Sequence, residues 1–418
     1  MEYNEKIEKI TKEMGLDYYP QEFEIISFED MLCYEAYVGM PSHYSHWSYG
    51  KTYDKLKTAY KYNLTGLPYE MVINSDPCIA YLMKDNTLLL QILTIAHVYG
   101  HNDYFKNNRM FKEYTNAKLT VEKIKNHADR IRSYIHDPSI GYEAVEEIID
   151  AAHSIRYQCH SFRSTPFSPD EKVEYPYSNL LEFLSQWGQL QEWQRDILQI
   201  IIEESRYFYP QIETKIINEG WATFCHYMIL NQLELPDYLA LEFYKVHNNV
   251  VCQAPGNLNP YHLGFKIWQS LYERYEGDFS KLLEIRAQER DASFIRKYLT
   301  FDICLESHLC EFQEEERYYL ISEVADSEGY KQIRNSLANS VGMSGLPIVQ
   351  VKEMLQSENT LVLEHIEDGR ELNLSYATET LKYVQTLWGG RVVLLTTLSN
   401  IPRRICCSVH KKVSIENV

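Results

Sequence analysis

The chain has 418 residues, a hydrophobic fraction of 45% and a formal net charge of -18. That length supports one large domain with a small one beside it. The negative balance argues against general nucleic-acid binding, which needs a positive face to meet phosphates, and against anionic membrane surfaces.

Residues 3–15 read as an amphipathic helix, with Tyr3, Ile7, Ile10 and Met14 at helical spacing. This stretch is charged and lacks the apolar core of a secretory signal. No apolar run approaches the roughly 18 residues of a transmembrane helix. The nine cysteines are scattered without a Cys-x-x-Cys pair, which fits reduced thiols and a cytoplasmic protein. A short helix is expected at 28–37. An aromatic loop from His43 to Tyr49 follows, suited to covering a site or to packing at the surface. Tyr53 to Tyr62 is helical by pattern, and Gly66-Leu67-Pro68 breaks it.

The apolar run Thr87 to Ala96 reads as a buried helix that continues into His97 and His101. Four residues apart on a helix, the two imidazoles share a face, and such a pair can bind a divalent metal. Two hydrogen-bonded core histidines would have the same spacing. A second helical run, Asp196 through Leu230, carries Glu219 within Ile217-Asn218-Glu219-Gly220-Trp221. Two histidines and one glutamate make a three-ligand set with a fourth position open. His226 is two turns beyond Glu219, on the same face, as a further ligand or a partner to one.

Thr120 to Ile135 and Tyr142 to Cys159 read as helices. Most carboxylates of the second should face solvent. Asp150 and His153 share a face, however, and a carboxylate-x-x-His pair is how helical bundles build two-metal sites. His160 to Pro176 is a Pro/Ser-rich connection. Helices follow at Asn179–Trp187 and Gln191–Glu204. Arg206 can hold an acidic group, either a substrate carboxylate or Glu204, or can serve a structural ion pair. Asn257 to His262 turns into a helix, Leu263 to Tyr275, and the pattern stays helical over 280–290 and 293–300. The acidic stretch Ser307 to Glu316 reads as a boundary.

Beyond residue 317 the pattern changes to strand (Tyr318–Val324), helix (Gly329–Val341), strands (Ile348–Met354, Thr360–Ile366), helix (Tyr376–Leu387) and strand (Arg391–Leu398). That order suggests a ferredoxin-like βαββαβ module. The expected architecture is therefore a mainly α metal-binding domain over 1–316 and a small α+β domain over 317–418.

The His-x-x-x-His helix followed by Asn-Glu-Gly-aromatic-Ala is similar to zinc aminopeptidases, where that later glutamate is the third zinc ligand. Those enzymes carry a general-base glutamate directly after the first histidine. Val98 stands there in this chain and cannot accept a proton. A longer match resembles the stage V sporulation protein R (SpoVR-like) family. It rests on Gly39-Met40-Pro41-Ser42-His43-Tyr44-Ser45-His46-Trp47, Tyr69 to Asn74, His97 to Asn108, Thr214 to Ala222, Asn259-Pro260-Tyr261-x-x-Gly264 and Asp291 to Arg296. The resemblance implies a cytoplasmic bacterial protein linked to sporulation and spore cortex formation.

From the residues, His97, His101 and Glu219 would hold a divalent metal, zinc first. Hydrolysis of an amide bond is the matching reaction, and the family resemblance implies a peptide or peptidoglycan-derived amide. Asp103, Glu204 and Asp150 are the candidate bases, with Arg206 as a substrate anchor. With Asp150 and His153 added, the centre would instead be a two-metal iron or manganese site doing redox chemistry. The non-enzymatic alternative is a metal-stabilised scaffold whose small domain recruits regulatory partners, and Val98 favours it.

Overall fold

The computed structural model describes residues 2–62, 70–158, 174–253, 258–314, 319–326 and 328–417. The expected break at Gly66-Leu67-Pro68 and most of the connection from His160 lie outside the described residues, as does the end of the acidic stretch at 315–316. The chain divides into two compact units, both discontinuous in sequence: 1–43, 47–123 and 210–342 form the first, and 44–46, 124–209 and 343–418 the second. The division therefore does not fall at residue 316. Residues 317–342 go with the first unit, and the C-terminal strands share the second with the helices of 124–209.

The first unit is mostly helical. It also contains a three-stranded sheet, β1 (Gln21–Ile26), β2 (Glu70–Ile73) and β3 (Cys78–Met83). Central β3 pairs parallel with β1 and antiparallel with β2. A two-stranded antiparallel ribbon, β4 (Cys310–Glu314) and β5 (Tyr319–Val324), completes its strands among the described residues.

Three helices form the heart of this unit. The histidine helix, Leu88–Asn107, starts at Thr87, whose side chain accepts from Leu90 N. It is buried on nearly every side, including Leu89, Ile92, Leu93, Ala96, His97 and Val98. A helix apolar all round belongs in a core rather than on a surface. The glutamate helix, Lys215–Gln232, packs against it. Its N-terminus is capped by Asp291 from a distant segment, whose carboxylate accepts from Ile216 N (2.9 Å) and Ile217 N (2.8 Å). Two of the otherwise unpaired first N–H groups of the helix are thereby satisfied. A third helix, Pro260–Arg274, is capped by Asn259 and has proline in its first turn, where the missing N–H costs nothing.

Small residues set the spacing of these helices. A Cβ added at Gly100 would lie 2.7 Å from Ala222 Cα, and one at Gly220 would lie 2.4 Å from Gly264 Cα. Aromatic packing fills the space around the crossings. The rings of Trp221 and Trp268 lie 4.7 Å apart, and Trp268 Nε1 donates to Ile217 O (3.1 Å).

The second unit contains a five-stranded sheet, β6 (Ile348–Leu355), β7 (Thr360–Ile366), β8 (Arg391–Leu398), β9 (Ile401–Cys407) and β10 (Val413–Asn417), ordered β10-β9-β8-β7-β6. Only β7 and β8 pair in parallel, and the helix Leu374–Trp388 makes the crossover between them. The module is α+β, as the pattern indicated, but its wiring is not the ferredoxin-like one. The strand and helix expected to open it, β5 and Gly329–Ser340, belong to the first unit, where β5 pairs with β4. In their place β9 and β10 extend the sheet. The helix Gly141–Ile155 packs against Leu374–Trp388 within this unit. No described helix is long and apolar enough to cross a membrane.

Candidate metal centre

The histidine helix carries His97 and His101 on one buried face, with ring centroids 4.6 Å apart. Gly100, between them, is what lets the glutamate helix come close enough to present Glu219. Glu219 Oε2 lies 3.7 Å from His97 Nε2 and 3.4 Å from His101 Nε2. A second carboxylate arrives from β2: Glu70 Oε1 is 3.8 Å from His97 Nε2. One donor atom each from Glu70, His97 and His101 lies within 4.8 Å of the others. All of these belong to the first unit.

The outer hydrogen bonds orient the rings. His101 Nδ1 is 3.0 Å from Asn218 Oδ1, an oxygen that can only accept, so Nδ1 carries the proton. When His101 is neutral, its Nε2 lone pair therefore faces Glu219. His97 Nδ1 is 3.0 Å from His226 Nδ1, and His226 Nε2 is 2.9 Å from His247 Nδ1. If His97 donates, each ring in turn donates to the next, and His97 Nε2 is left bare toward the carboxylates. Burial holds His226 well below the usual histidine range and lowers His247 to about 4, so both outer rings stay neutral.

The inner groups face one another across the pocket. Among the described residues, His97 Nε2 and Glu219 Oε2 are buried with no hydrogen-bond partner. Burial alone would push Glu219 up, but His101 and His97 outweigh it and hold the carboxyl below its ordinary value. Burial opposes protonation of His101, and the nearby Glu219 outweighs it and raises that histidine. Glu70 is raised by burial, only partly offset by the two histidines. Tyr261, near the start of the third helix, is raised chiefly by the charge of Glu219, beside which its hydroxyl is held. Two imidazoles and carboxylates converging in a buried pocket are an ordinary donor set for a divalent metal.

The other expected residues are engaged by other partners. Asp103 is in the first unit but serves packing. It accepts from Asp17 N (2.8 Å) and Trp221 Nε1 (2.9 Å) and faces Arg286 (3.4 Å). Burial raises its carboxyl to about 6 against the pull of Arg286. With its oxygens so engaged, it is not a base for the histidine pair. Asp150, His153, Glu204 and Arg206 belong to the second unit. There His46 Nε2 lies 3.1 Å from Asp150 Oδ1. The Tyr44 hydroxyl lies 2.9 Å from His153 Nε2 and 3.4 Å from Glu204 Oε2. His127 sits between Glu203 (3.3 Å) and Glu204 (3.4 Å). Arg206 donates to Glu182 (2.9 Å), a structural ion pair. The two carboxylate–histidine sets thus belong to separate units.

Four site residues escaped the sequence reading. Glu70, Asn218 and Tyr261 stand inside the family-like motif blocks, where a carboxylate, an amide and a hydroxyl were the available signals. His247 gave none, being a single histidine on the helix Asp237–Val250.

Comparison with known families places these blocks. The SpoVR like protein family matches residues 1–174 and 163–346, and the SpoVR-like C-terminal domain matches 347–399. The chain belongs to the SpoVR family. It is 34% identical to the uncharacterized protein YcgB of Escherichia coli (strain K12) over 465 aligned residues, covering 94% of this chain and 90% of that protein. No solved structure matches it. Within this SpoVR-family chain, the motif blocks around His97, Asn218-Glu219 and Tyr261 converge on one pocket. The block beginning at Asp291 caps the helix that carries Glu219.

Proposed function

We propose that this SpoVR-family protein binds a divalent metal, zinc first, through His97, His101 and Glu219, and uses it to hydrolyse an amide bond. The observation that carries the reading is the buried confrontation of His97 Nε2 and Glu219 Oε2, 3.7 Å apart and lacking hydrogen bonds among the described residues. A divalent cation would satisfy both groups at once, in place of the charge pairing by which His101 and His97 hold Glu219 low.

A divalent metal in such a site polarises a carbonyl and makes water a better nucleophile at neutral pH. The chain supplies the rest. Glu70, raised by burial, takes the role of proton acceptor that Val98 cannot fill. The Tyr261 hydroxyl, beside Glu219, is placed to donate to an oxygen that gains charge. A peptide or peptidoglycan-derived amide suits the cortex link that the family resemblance carries. The free thiols among the described cysteines suit a cytoplasmic setting.

The test is metal content per chain in protein purified without chelator, with circular dichroism as the folding control. His97→Ala, His101→Ala and Glu219→Ala should each lose the metal and keep the fold. Wild-type stoichiometry in all three variants overturns the site. Metal bound but no amide turnover, in wild type and Glu70→Gln alike, leaves the scaffold reading in place of the enzyme. The metal found decides between zinc and ferrous iron, which also accepts two histidines and one carboxylate.

A further inference from the structure

The second unit contains a cavity that plays no part in the metal reading. It lies where β7 ends and the crossover helix Leu374–Trp388 begins. In parallel β-α-β connections, ligands gather at the carboxyl ends of the strands. The cavity volume is about 410 Å³, within the ~300–1,000 Å³ usual for small-molecule pockets.

The walls are mainly apolar. Leu363 and Leu394 come from the sheet, Leu381 and Val384 from the crossover helix, and Ile155 and Leu180 from the helical part of the same unit. His365, near the end of β7, is the buried polar group on the wall. Its Nδ1 is 3.1 Å from Thr396 Oγ1. Nε2 has no hydrogen-bond partner among the described residues, which leaves it for a ligand.

The rim decides the charge of the occupant. Arg370 is the one cation among the lining residues, and it is already engaged: Nε donates to Asp368 (2.9 Å) and Nη2 to Ser344 O (2.8 Å). Glu371 adds a further negative charge, with Oε1 accepting from Ser399 N (2.6 Å). An anionic ligand would meet two carboxylates and no uncommitted cation. Phosphates, nucleotides and carboxylic acids are therefore disfavoured, and an apolar body suits the walls.

We propose that this cavity binds a neutral, mainly apolar small molecule with one polar group that hydrogen-bonds His365. The site is independent of the metal centre, so either reading can fail alone.

The experiment uses the full chain and two dyes of similar shape. N-phenylnaphthylamine is neutral with one N–H, and anilinonaphthalene sulfonate is its anionic counterpart. The neutral dye should bind saturably at one site, and the anionic dye about tenfold more weakly or worse. Ala377→Trp fills the cavity from the crossover helix. It should weaken the neutral dye by about tenfold or more while the melting curve holds. Thr380→Phe fills the same space and serves if the first variant does not fold. His365→Phe should weaken the neutral dye several-fold. Absence of saturable neutral-dye binding, unchanged binding in a folded filled variant, or equal affinity for the two dyes each overturns the proposal.

Discussion

The Nδ1 atoms of His97 and His226 lie 3.0 Å apart, and one of them must hold a proton for the contact to be favourable. The neighbouring contact, His226 Nε2 to His247 Nδ1 at 2.9 Å, sets which one. If His247 accepts, His226 must receive from His97, and the bare nitrogen of His97 faces Glu219 and Glu70. Outer partners of this kind fix the tautomer of a metal-binding histidine. His226→Phe should therefore weaken zinc by about 10–100-fold without abolishing it. Titration against a chelator of known affinity reads this. An unchanged affinity would mean that His97 is oriented by packing alone.

The pH response should change sign with metal. In metal-free protein, His101 is raised above its ordinary 6.5 by Glu219 after burial is overcome. A raised histidine stabilises fully below the unfolded value, and the contribution is lost as pH climbs through the folded one. Glu219 is held low, so its contribution is present above 4.5 and is lost as pH falls through its folded value. Metal-free protein should then be most stable between these limits and weaken above pH 6.5. Zinc needs the histidines deprotonated, so the zinc-induced rise in Tm should grow as pH climbs through that same range. Melting curves at several pH values, with and without zinc, show whether the two slopes oppose. Parallel slopes would count against His101 as a ligand.

Gly100 and Gly220 sit where helices touch through their backbones. Gly100→Ala and Gly220→Ala should each cost about 1–3 kcal/mol, the usual range for overpacking a filled core. Gly100→Ala should also weaken metal binding, since the histidine and glutamate helices must part, whereas Gly220→Ala forces the glutamate helix away from Pro260–Arg274, the helix that carries Tyr261. Gly50 is the control. It lies in the helix Trp47–Lys61 with nothing within 4 Å of an added Cβ. Gly50→Ala should stabilise by about 0.5–1 kcal/mol through helix propensity. Chemical denaturation reads all three. A neutral Gly100→Ala would show that the helices separate freely.

Asp291→Ala removes two hydrogen bonds to the start of the glutamate helix. The loss should be about 1–2 kcal/mol, as for other N-terminal caps. Asp291→Asn keeps an acceptor and should recover part of it. If Asn is no better than Ala in denaturant melts, the carboxylate does not act as a cap.

Cutting the chain after residue 316 should give an insoluble product. The helix Gly141–Ile155 buries Ile148, Ile149, Ala152 and Ile155, and within its unit it packs against Leu374–Trp388, which the cut removes. Soluble, folded fragment 1–316 would show that this apolar face finds cover without the C-terminal strands.

The sequence made the first unit partly legible. His97 and His101 announce a shared face because helical spacing is local information. Glu219 was found because its motif sits in an obvious helical run. Glu70 was not, because nothing near it in sequence says that β2 will run beside the histidine helix. The sheet itself was missed for a related reason. Cys78 to Met83 is a short apolar run, which periodicity cannot tell from buried helix. In the C-terminal region the expected strands and helices were found nearly residue for residue. Their partners were not, since strand order is decided by tertiary contact. Thus β5 joined β4 in the other unit, although its own pattern reads equally well as the first strand of a ferredoxin-like sheet.

Where Gly220 meets Gly264 and Gly100 meets Ala222, the main chain itself is the spacer. A gap set by side chains shifts whenever a side chain is exchanged. A gap set by bare backbone does not. The core around Trp221 and Trp268 can therefore drift in composition while the donors keep their separation. For anyone grafting this pocket into another helical protein, the small residues must travel with the histidines and the glutamate, because they carry its dimensions.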